Sequence, residues 1–435
     1  MTPERPRGAG PLNATPRARR VLEHAAPDGT PFLTAVVRRM IAGDLPQTTL
    51  LAVCPTSIAV TRATLSVARQ ADTPAVFAAT LNQVDTDGGY TGWTPDVFAG
   101  VVAAEAARIG LDTPILLGLD HAGPWLNDAH ARDGLSYDAT MDAVLRSIEA
   151  CLRAGYALLH IDPTVDRTLP PGAPVPIARV VERTVAMIAH AEGVRTKYDL
   201  PRVAYEVGTE EVHGGLAHLD TVDRFLAGLD AGLRAAGLRH AWPTFVVGKV
   251  GTDLHTATFD ADVARALTAR VRAYGSLVKG HYSDFVTHPE AYPQAGMGGA
   301  NLGPELTDVE ARALEDLADA ERALGRDSGI EAALASAVED SGRWTKWLLP
   351  DEAAVRLADL TPERRRWMVR TGARYVWTDP AVTAARARLA TNLEGVRDAE
   401  AYVQGRIEAA IGRYVRSFHL VGLNERLLGL HRGDG

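Results

Sequence analysis

The chain has few cysteines, no excess of positive charge and no long apolar run, and each absence excludes a class of protein. Cys54 and Cys151 are the only cysteines among 435 residues, so neither a disulfide framework nor a Cys-x-x-Cys metal site is available. No apolar run approaches the length of a membrane span. The formal net charge of -8 and the pI near 5.9 argue against nucleic acid or an anionic membrane as the partner. We therefore expect a cytoplasmic protein with no nucleic-acid and no membrane partner.

The sequence does contain a regular alternation of short apolar runs and longer amphipathic stretches, which predicts βαβ units and a parallel sheet. The predicted strands are 50–55, 75–82, 115–120, 157–162, 202–208, 244–251, 277–283 and a glycine-rich eighth at 295–302. The predicted helices between them include 94–109, 137–154, 177–191, 222–236 and 260–274. This number of repeats fits an α/β fold of the (β/α)8 TIM-barrel type.

A doubly wound sheet is the structural alternative. We favour the barrel because polar residues follow nearly every predicted strand, and in a barrel all strand ends converge on one mouth. No Gly-x-Gly-x-x-Gly follows the first strand, so a dinucleotide fold has no specific support. We predict a flexible tail at 1–30, the barrel at 31–325 and a C-terminal helical region at 326–435.

In the C-terminal region, the pattern indicates a helical extension with at most one short strand, at 375–377. The predicted helices are 330–337, 353–358, 362–371, 381–391 and 398–415. The stretch 360–374 is strongly basic, and Arg364, Arg365 and Arg366 are more typical of a solvated helix face than of a binding patch.

Imidazole and carboxylate side chains stand at several predicted strand ends. The pair Asp120-His121 closes one apolar run, and His255 and His281 follow two later strands. One such histidine is more often a hydrogen-bonded structural residue than a ligand. Three that converge on one mouth fit a catalytic metal with an open position, so we predict His121, His255 and His281 as its ligands. Imidazole suits Zn²⁺ best, and Co²⁺, Mn²⁺ or Ni²⁺ could substitute.

The loop after the second strand is the other unusual stretch. Asn82 and Gln83 begin it, glycines surround Tyr90, and Thr94-Pro95 predicts a helix N-cap followed by proline. A well-formed turn between strand and helix explains the composition. Hydrogen bonding of a polyol substrate by Asn82, Gln83 and Tyr90 explains it equally well.

Taken together, these motifs resemble the tagatose-bisphosphate aldolase "non-catalytic subunit" family, whose members are class II aldolase-like and include metal-dependent 4-epimerases of ketoses or their phosphates. The resemblance extends over most of the chain from Cys54 to Gly395. It is carried by Asn82-Gln83-Val84, Gly88-Gly89-Tyr90-Thr91-Gly92, Gly118-x-Asp120-His121-x-Gly123-Pro124, His160-x-Asp162, Gly208-Thr209-Glu210, His281-x-Ser283-Asp284-Phe285, Leu302-Gly303-Pro304 and Asn392-Leu393-Glu394-Gly395.

The resemblance implies a TIM barrel and a division of roles among these residues. Asp120 would move a proton and His121 would bind metal, with His281 and His255 as further ligands; His255 stands one residue off the family spacing. Glu206 and Glu210 are alternative catalytic carboxylates. The implied substrate-binding residues are Asn82, Gln83, Tyr90, Asp162, Ser283, Asp284 and Asn301.

Two departures from the family pattern argue against a bisphosphate substrate. His281 is not followed by the Gly-Gly-Ser-Gly phosphate cradle of class II aldolases, and Asp284 would repel a phosphate there. Asn301 stands where the family has lysine.

The resulting functional prediction is a metal-dependent class II aldolase-type enzyme that breaks and re-forms the C3–C4 bond of a ketose or ketose phosphate of the tagatose or fructose type. The same residues serve an aldolase and a C4 epimerase, so the sequence does not choose between them. The alternative is a non-catalytic accessory subunit that stabilises a separate aldolase catalytic subunit. We also expect a homo-oligomer.

Overall fold

Eight parallel strands form a closed barrel in the computed structural model, which describes residues 11–170, 173–208, 218–252, 258–349, 351–352 and 356–429. The strands pair in sequence order, and β8 pairs with β1 to close the sheet. They are β1 Leu50–Val53, β2 Ala75–Thr80, β3 Ile115–Ala122, β4 Leu158–Ile161, β5 Ala204–Val207, β6 Phe245–Val247, β7 Leu277–Gly280 and β8 Gly299–Leu302. The predicted TIM barrel is confirmed.

Helices connect the strands and continue after the last one. They are α1 Pro16–Ala25, α2 Phe32–Ala42, α3 Ile58–Ala71, α4 Pro95–Arg108, α5 Asp128–Arg132, α6 Tyr137–Arg153, α7 Ile177–Lys197, α8 Leu219–Ala235, α9 Ala261–Arg272, α10 Ala291–Gln294, α11 Pro304–Ala323, α12 Ile330–Ser341, α13 Pro362–Gly372, α14 Pro380–Asn392, α15 Ala399–Ser417 and α16 Leu423–Leu427. Short 3-10 helices occupy Arg239–Ala241, Arg343–Trp347, Leu357–Asp359 and Ala373–Tyr375. Described residues include no helix long and apolar enough to cross a membrane.

The local chemistry explains where elements begin and why the strands are apolar. Thr94 accepts a hydrogen bond from the amide of Val97 and Pro95 opens α4, as the sequence predicted. The strands are buried almost throughout because helices cover the outside of the barrel and side chains fill its inside. The eighth strand is shorter than predicted: it begins at Gly299, after a helical turn and the glycines that follow it.

The segment 1–30, predicted as a flexible tail, contains a helix among its described residues. Residues Pro16–Ala25 form α1, whose Ala18, Val21 and Ala25 are buried. The Asn13 side chain also bonds both backbone groups of Ile115 at the start of β3, at 2.7 and 2.9 Å. The apolar spacing of α1 is brief and lies among arginines, which is why the composition indicated a tail.

The C-terminal helical region packs on one side of the barrel. Helix α15 lies against α3 and α11, and α12 and α13 also pack on α11. Four of the five predicted helices match α12 to α15, whereas residues 353–355 of the fifth lie outside the described part. The prediction of a strand at 375–377 is wrong, because Ala373–Tyr375 forms a 3-10 helix.

Candidate active site at the carboxyl ends of the strands

Asp120 and His121 both face the cavity at the barrel mouth, although consecutive residues of a regular strand point to opposite faces. The register between β3 and β4 shifts between Leu119 and Ala122, which marks a bulge. His121 has φ 52°, in the left-handed region that non-glycine residues rarely adopt. The bulge therefore lets both side chains line one cavity of about 360 Å³.

The loop after β3 lies directly on the end of β4. A Cβ at Gly123 would lie 1.7 Å from the backbone oxygen of Asp162, so only glycine permits this approach. The contact brings the Asp162 carboxylate to His121, with Oδ2 2.6 Å from Nδ1. Thr164 donates a second hydrogen bond to Asp162 Oδ1, at 2.5 Å. Asp162 therefore orients His121, and it also lines the cavity.

His121 and His281 face each other with their outer nitrogens held by carboxylates. Nε2 of His121 lies 3.0 Å from Nδ1 of His281. The other nitrogen of His281, Nε2, lies 2.8 Å from Glu206 Oε1. Ionised carboxylates only accept hydrogen bonds, so the outer nitrogen of each ring carries the hydrogen. In a neutral imidazole the other nitrogen then has a lone pair, and the lone pairs of the two inner nitrogens point at each other. Either a shared proton or a cation must lie between them.

The electrostatics of this pair favour a positive charge between the rings. Burial lowers the pKa of His121, but the neighbouring Asp120 and Asp162 carboxylates outweigh it and raise the pKa to about 9. Burial lowers the pKa of His281 to about 4, in spite of the Asp120 and Glu206 carboxylates. These opposite shifts favour a proton on His121 Nε2 that is shared with His281 Nδ1.

The same arrangement fits a divalent metal. Asp120, His121, His160 and His281 can each offer one ligand atom, and these atoms lie within 4.8 Å of one another. Two imidazole nitrogens on a tetrahedral Zn²⁺ would be about 3.3 Å apart, close to the 3.0 Å between His121 and His281. Nε2 of His160 is buried without a hydrogen-bond partner among the described residues. Carboxylates behind metal-binding histidines are the usual outer partners of such sites.

Asp120 is held in place by neutral and basic groups. Its Oδ2 accepts a hydrogen bond from Asn301 Nδ2 at 3.0 Å, and its Oδ1 lies 3.0 Å from His160 Nδ1. Burial opposes ionisation, but the neighbouring histidines, His121 above all, outweigh it and hold the pKa of Asp120 well below its usual range. Asn301, predicted to contact substrate, thus positions Asp120, while its Oδ1 remains without a partner among described residues.

Glu206 lies deeper in the barrel than we predicted for a catalytic carboxylate. It is 0% exposed and is not among the side chains that line the cavity. Lys279 Nζ donates to its Oε2 at 2.6 Å, and its Oε1 contacts His281. Burial raises the pKa of Glu206, but Lys279 and His160 outweigh it and lower the pKa to about 2. Both oxygens are engaged, so Glu206 orients His281.

The predicted substrate-binding loop does line the cavity. Asn82 donates to the Leu126 carbonyl at 2.8 Å and accepts from the Asp128 amide at 2.8 Å, so it also shapes the rim. Gln83 Oε1 accepts from the Thr80 amide at 2.8 Å. Tyr90 packs edge-on against Tyr375, with ring centres 5.2 Å apart.

Ser283 and Asp284, although adjacent, have different surroundings. Ser283 is buried and does not line the cavity, which argues against the predicted substrate contact. Asp284 lines it, and its Oδ1 accepts from the amides of Gly303 and Glu305 at 2.9 and 2.7 Å. Burial raises the pKa of Asp284 to about 7. Of the other predicted residues, His255 and Glu210 lie outside the described residues.

The opposite side of the cavity comes from residues that the sequence analysis did not assign to the site. Lys346, Trp347, Arg374 and Tyr375, here called the roof, line the cavity together with the barrel residues. They lie in the 3-10 helices Arg343–Trp347 and Ala373–Tyr375. Both segments follow helices of the C-terminal region, so this region completes the cavity.

His160 is the other residue missing from the predicted ligand set. It pairs with Glu206 across β4 and β5, and its ring centre lies 4.9 Å from that of His121 and 5.1 Å from that of His281. The His160-x-Asp162 motif at a strand end was the available signal.

A closed parallel barrel with histidines and a carboxylate clustered at its strand ends defines a TIM-barrel protein with a candidate metal centre. The chain belongs to the family described as "D-tagatose-1,6-bisphosphate aldolase subunit GatZ/KbaZ-like", which it matches over residues 33–413. The family resemblance predicted from the motifs is therefore confirmed.

Relatives of this chain have names of two kinds. It is 30% identical to "D-tagatose 6-phosphate 4-epimerase" of Agrobacterium fabrum, over 80% of this chain and 84% of that protein. It is 27% identical to "D-tagatose-1,6-bisphosphate aldolase subunit GatZ" of Escherichia coli O7:K1, over 80% and 85%. A crystal structure of a probable tagatose 6 phosphate kinase from Sinorhizobium meliloti has the same fold, with TM-score 0.70, 24% identity and coverage of 85% of this chain and 100% of that one.

Proposed function

We propose that this protein is a metal-dependent enzyme of the class II aldolase type, which acts on a ketose or ketose phosphate by breaking and re-forming the C3–C4 bond. The carrying observation is the facing pair His121 Nε2 and His281 Nδ1, 3.0 Å apart. Their outer nitrogens contact Asp162 and Glu206, which leaves the inner nitrogens free for a cation.

The donor set suits Zn²⁺, with His121 and His281 as ligands and His160 or the predicted His255 completing the set. When bound, the metal would polarise the C2 carbonyl of the ketose as a Lewis acid. Binding would displace the proton that His121 otherwise shares with His281.

In this proposal Asp120 moves the proton. Its carboxylate takes the proton of the C4 hydroxyl, the C3–C4 bonding electrons pass towards C2, and C4 becomes the aldehyde carbon. Asn301 donates a hydrogen bond to Asp120 Oδ2 and thereby fixes the orientation of the carboxylate. If the aldehyde leaves, the reaction is an aldol cleavage; if it turns and adds again, C4 is inverted.

The roof favours inversion over cleavage. Trp347 and Tyr375 line the cavity together with barrel residues, and Trp347 Nε1 donates a hydrogen bond to Tyr375 Oη at 3.1 Å. In this proposal, contacts with these aromatic rings would retain the aldehyde long enough for it to add again. The Agrobacterium relative named as a 4-epimerase supports the same choice.

An accessory subunit is the second candidate, because the Escherichia coli relatives are named as aldolase subunits. The test uses the purified chain alone: bound metal is measured, and fructose, tagatose and their phosphates are incubated with it and followed by NMR. We expect bound metal and C4 inversion or cleavage. No metal and no turnover, with activity only after an aldolase subunit is added, would sink the enzyme proposal. The homo-oligomeric state and the aldolase partner stay predictions.

A further inference from the structure

Among the described residues, Arg374 is a buried cation that forms no ion pair, and it lines the cavity. It is 6% exposed, and its Nη1 has no hydrogen-bond partner among the described residues. Its Nη2 donates to the hydroxyl of Tyr375 at 3.1 Å. Among the described carboxylates, Asp284 lies within electrostatic range of the guanidinium but forms no ion pair with it. Because a guanidinium does not lose its charge, such burial is unfavourable unless an anion binds there.

Neighbouring cations are already neutralised. Lys346 also lines the cavity, but its Nζ lies 2.7 Å from Asp128 Oδ2, and Arg343 contacts the same oxygen at 2.8 Å. The loops 209–217 and 253–257, which the structure does not describe, contain no lysine or arginine. Among the described residues that line the cavity, Arg374 is therefore the cation that forms no ion pair within the protein and can pair with an anionic ligand.

The place where many TIM barrels bind phosphate is filled by the protein itself. Phosphate frequently binds near the loops after the seventh and eighth strands, at a helix N-terminus. Here Asp284 Oδ1 accepts from the amides of Gly303 and Glu305 at the start of α11. These two amides are therefore not available to a ligand oxyanion, which must be held elsewhere.

We propose that Arg374 binds one terminal phosphate of the sugar, so that the helical region after the barrel, and not the barrel loops, recognises the anionic end of the substrate. This inference rests on the proposed function for the identity of the sugar. The Tyr90 and Tyr282 side chains line the same cavity and lie within electrostatic range of the guanidinium. With a single uncompensated cation, the site suits a monophosphate better than a bisphosphate.

The first test measures inorganic phosphate binding by calorimetry and needs no turnover. Wild type should bind phosphate, and Arg374→Met should bind it roughly 10- to 100-fold more weakly, as expected for loss of a charged hydrogen bond. The matched control is Arg370→Met, which loses an ion pair with Glu315 on the adjacent helix and should bind as wild type does. Equal phosphate affinity in wild type and Arg374→Met overturns the proposal.

The second test compares ketose 6-phosphates, 1,6-bisphosphates and unphosphorylated ketoses by kcat/KM. Wild type should prefer the monophosphate, and Arg374→Met should lose that preference. A preference that survives in Arg374→Met, or a wild type that prefers the bisphosphate, overturns the role of Arg374 and leaves the proposed chemistry intact. If no ketose reacts, the proposed function fails and the phosphate titration alone decides on Arg374.

Should Arg374→Met fail to fold, Arg374→Lys keeps the charge and loses the planar guanidinium. It should bind phosphate more weakly than wild type but measurably. An unchanged affinity would contradict a direct hydrogen-bonded contact.

Discussion

The two sides of the cavity are built from opposite chemistry. On the barrel side, which we call the wall, Asp120, His121 and His281 line the cavity, and buried carboxylates or histidines support each of them. On the other side the roof presents cations and aromatic rings, with Arg374 stacked 4.9 Å from the ring centre of Tyr375. The wall is suited to hold a metal and move protons, and the roof to hold an anion and exclude water.

The two sides also differ in how firmly they are held. The wall depends on the pair Lys279 and Glu206, whose side chains are 3% and 0% exposed. The roof is joined to the barrel by Asp128, whose contacts with Arg343 and Lys346 are about one-third exposed. Buried pairs are costly to break and exposed pairs contribute little. We therefore expect substitutions in the wall to affect metal, chemistry and stability, and substitutions in the roof to affect binding.

The largest expected effect separates two neighbouring residues of the wall. His121→Ala should lose metal and all measurable turnover, because it removes a ligand. Asp120→Asn should keep the metal and lower kcat by about 10²- to 10⁴-fold, as expected for a lost general base. Metal content by atomic spectroscopy and kcat by NMR would measure both.

The control for this pair is His240→Gln. It removes a partly exposed histidine that pairs with Glu192, and neither residue lines the cavity. It should retain metal and rate. A fully active Asp120→Asn would show that another group moves the proton.

The next largest effect is on stability. Lys279→Met would leave Glu206 buried with only His281 as a partner, and removal of one member of a buried pair costs about 3–5 kcal/mol. Denaturant unfolding would measure the loss. The double variant Lys279→Met with Glu206→Gln should recover part of it, since no unpaired charge remains. Additive losses would show that the two residues do not act as a pair.

The wall was largely predictable from the sequence, since its residues end apolar runs. Asp120 and His121 lie at the end of β3 and His281 directly follows β7, and a parallel barrel must bring such ends together. The register was not predictable, because it depends on pairing between strands. The bulge at His121 and the alignment of His160 with Glu206 are therefore findings of the structure alone.

The roof was not predictable in the same way. The sequence predicts a solvated helix face for Arg364, Arg365 and Arg366, and Arg365 and Arg366 are exposed, whereas Arg364 is half-buried against Glu352. It contains no prediction for the buried Arg374. What distinguishes Arg374 is that it follows α13 in a 3-10 turn that folds over a mouth built by residues some hundreds of positions earlier. Composition contains no signal for that packing.

A smaller effect is expected on the pH dependence of stability, through Asp284 in the cavity lining. Burial raises the pKa of its carboxyl to about 7, so the folded protein keeps a proton that the unfolded chain loses near pH 3.8. Stability should therefore fall as pH rises from about 4 to 7, by at most about 1.4 kcal/mol per pH unit from this group. Below about pH 4 both states hold the proton and the contribution is constant.

Asp284→Asn removes this titration and still offers an oxygen to the amides of Gly303 and Glu305. The melting temperature of the variant, relative to wild type, should increase between pH 5 and 7 and become constant above pH 8. A difference that does not vary with pH would mean that Asp284 is ionised throughout.

The smallest effect tests whether the roof is more than a cover. Asp128→Asn should weaken the contacts with Arg343 and Lys346 by about 0.2–1 kcal/mol, and 1 M salt should reduce the difference from wild type. Because Asp128 fixes the roof and not the reacting groups, KM for the sugar should rise a few-fold and kcat should change less. Asp316→Asn is the matched control, since it loses a similarly exposed pair with Arg406 at 2.8 Å and does not line the cavity. A tenfold fall in kcat for Asp128→Asn alone would mean that the roof contributes to the reaction itself, and the proposed difference between wall and roof would be wrong.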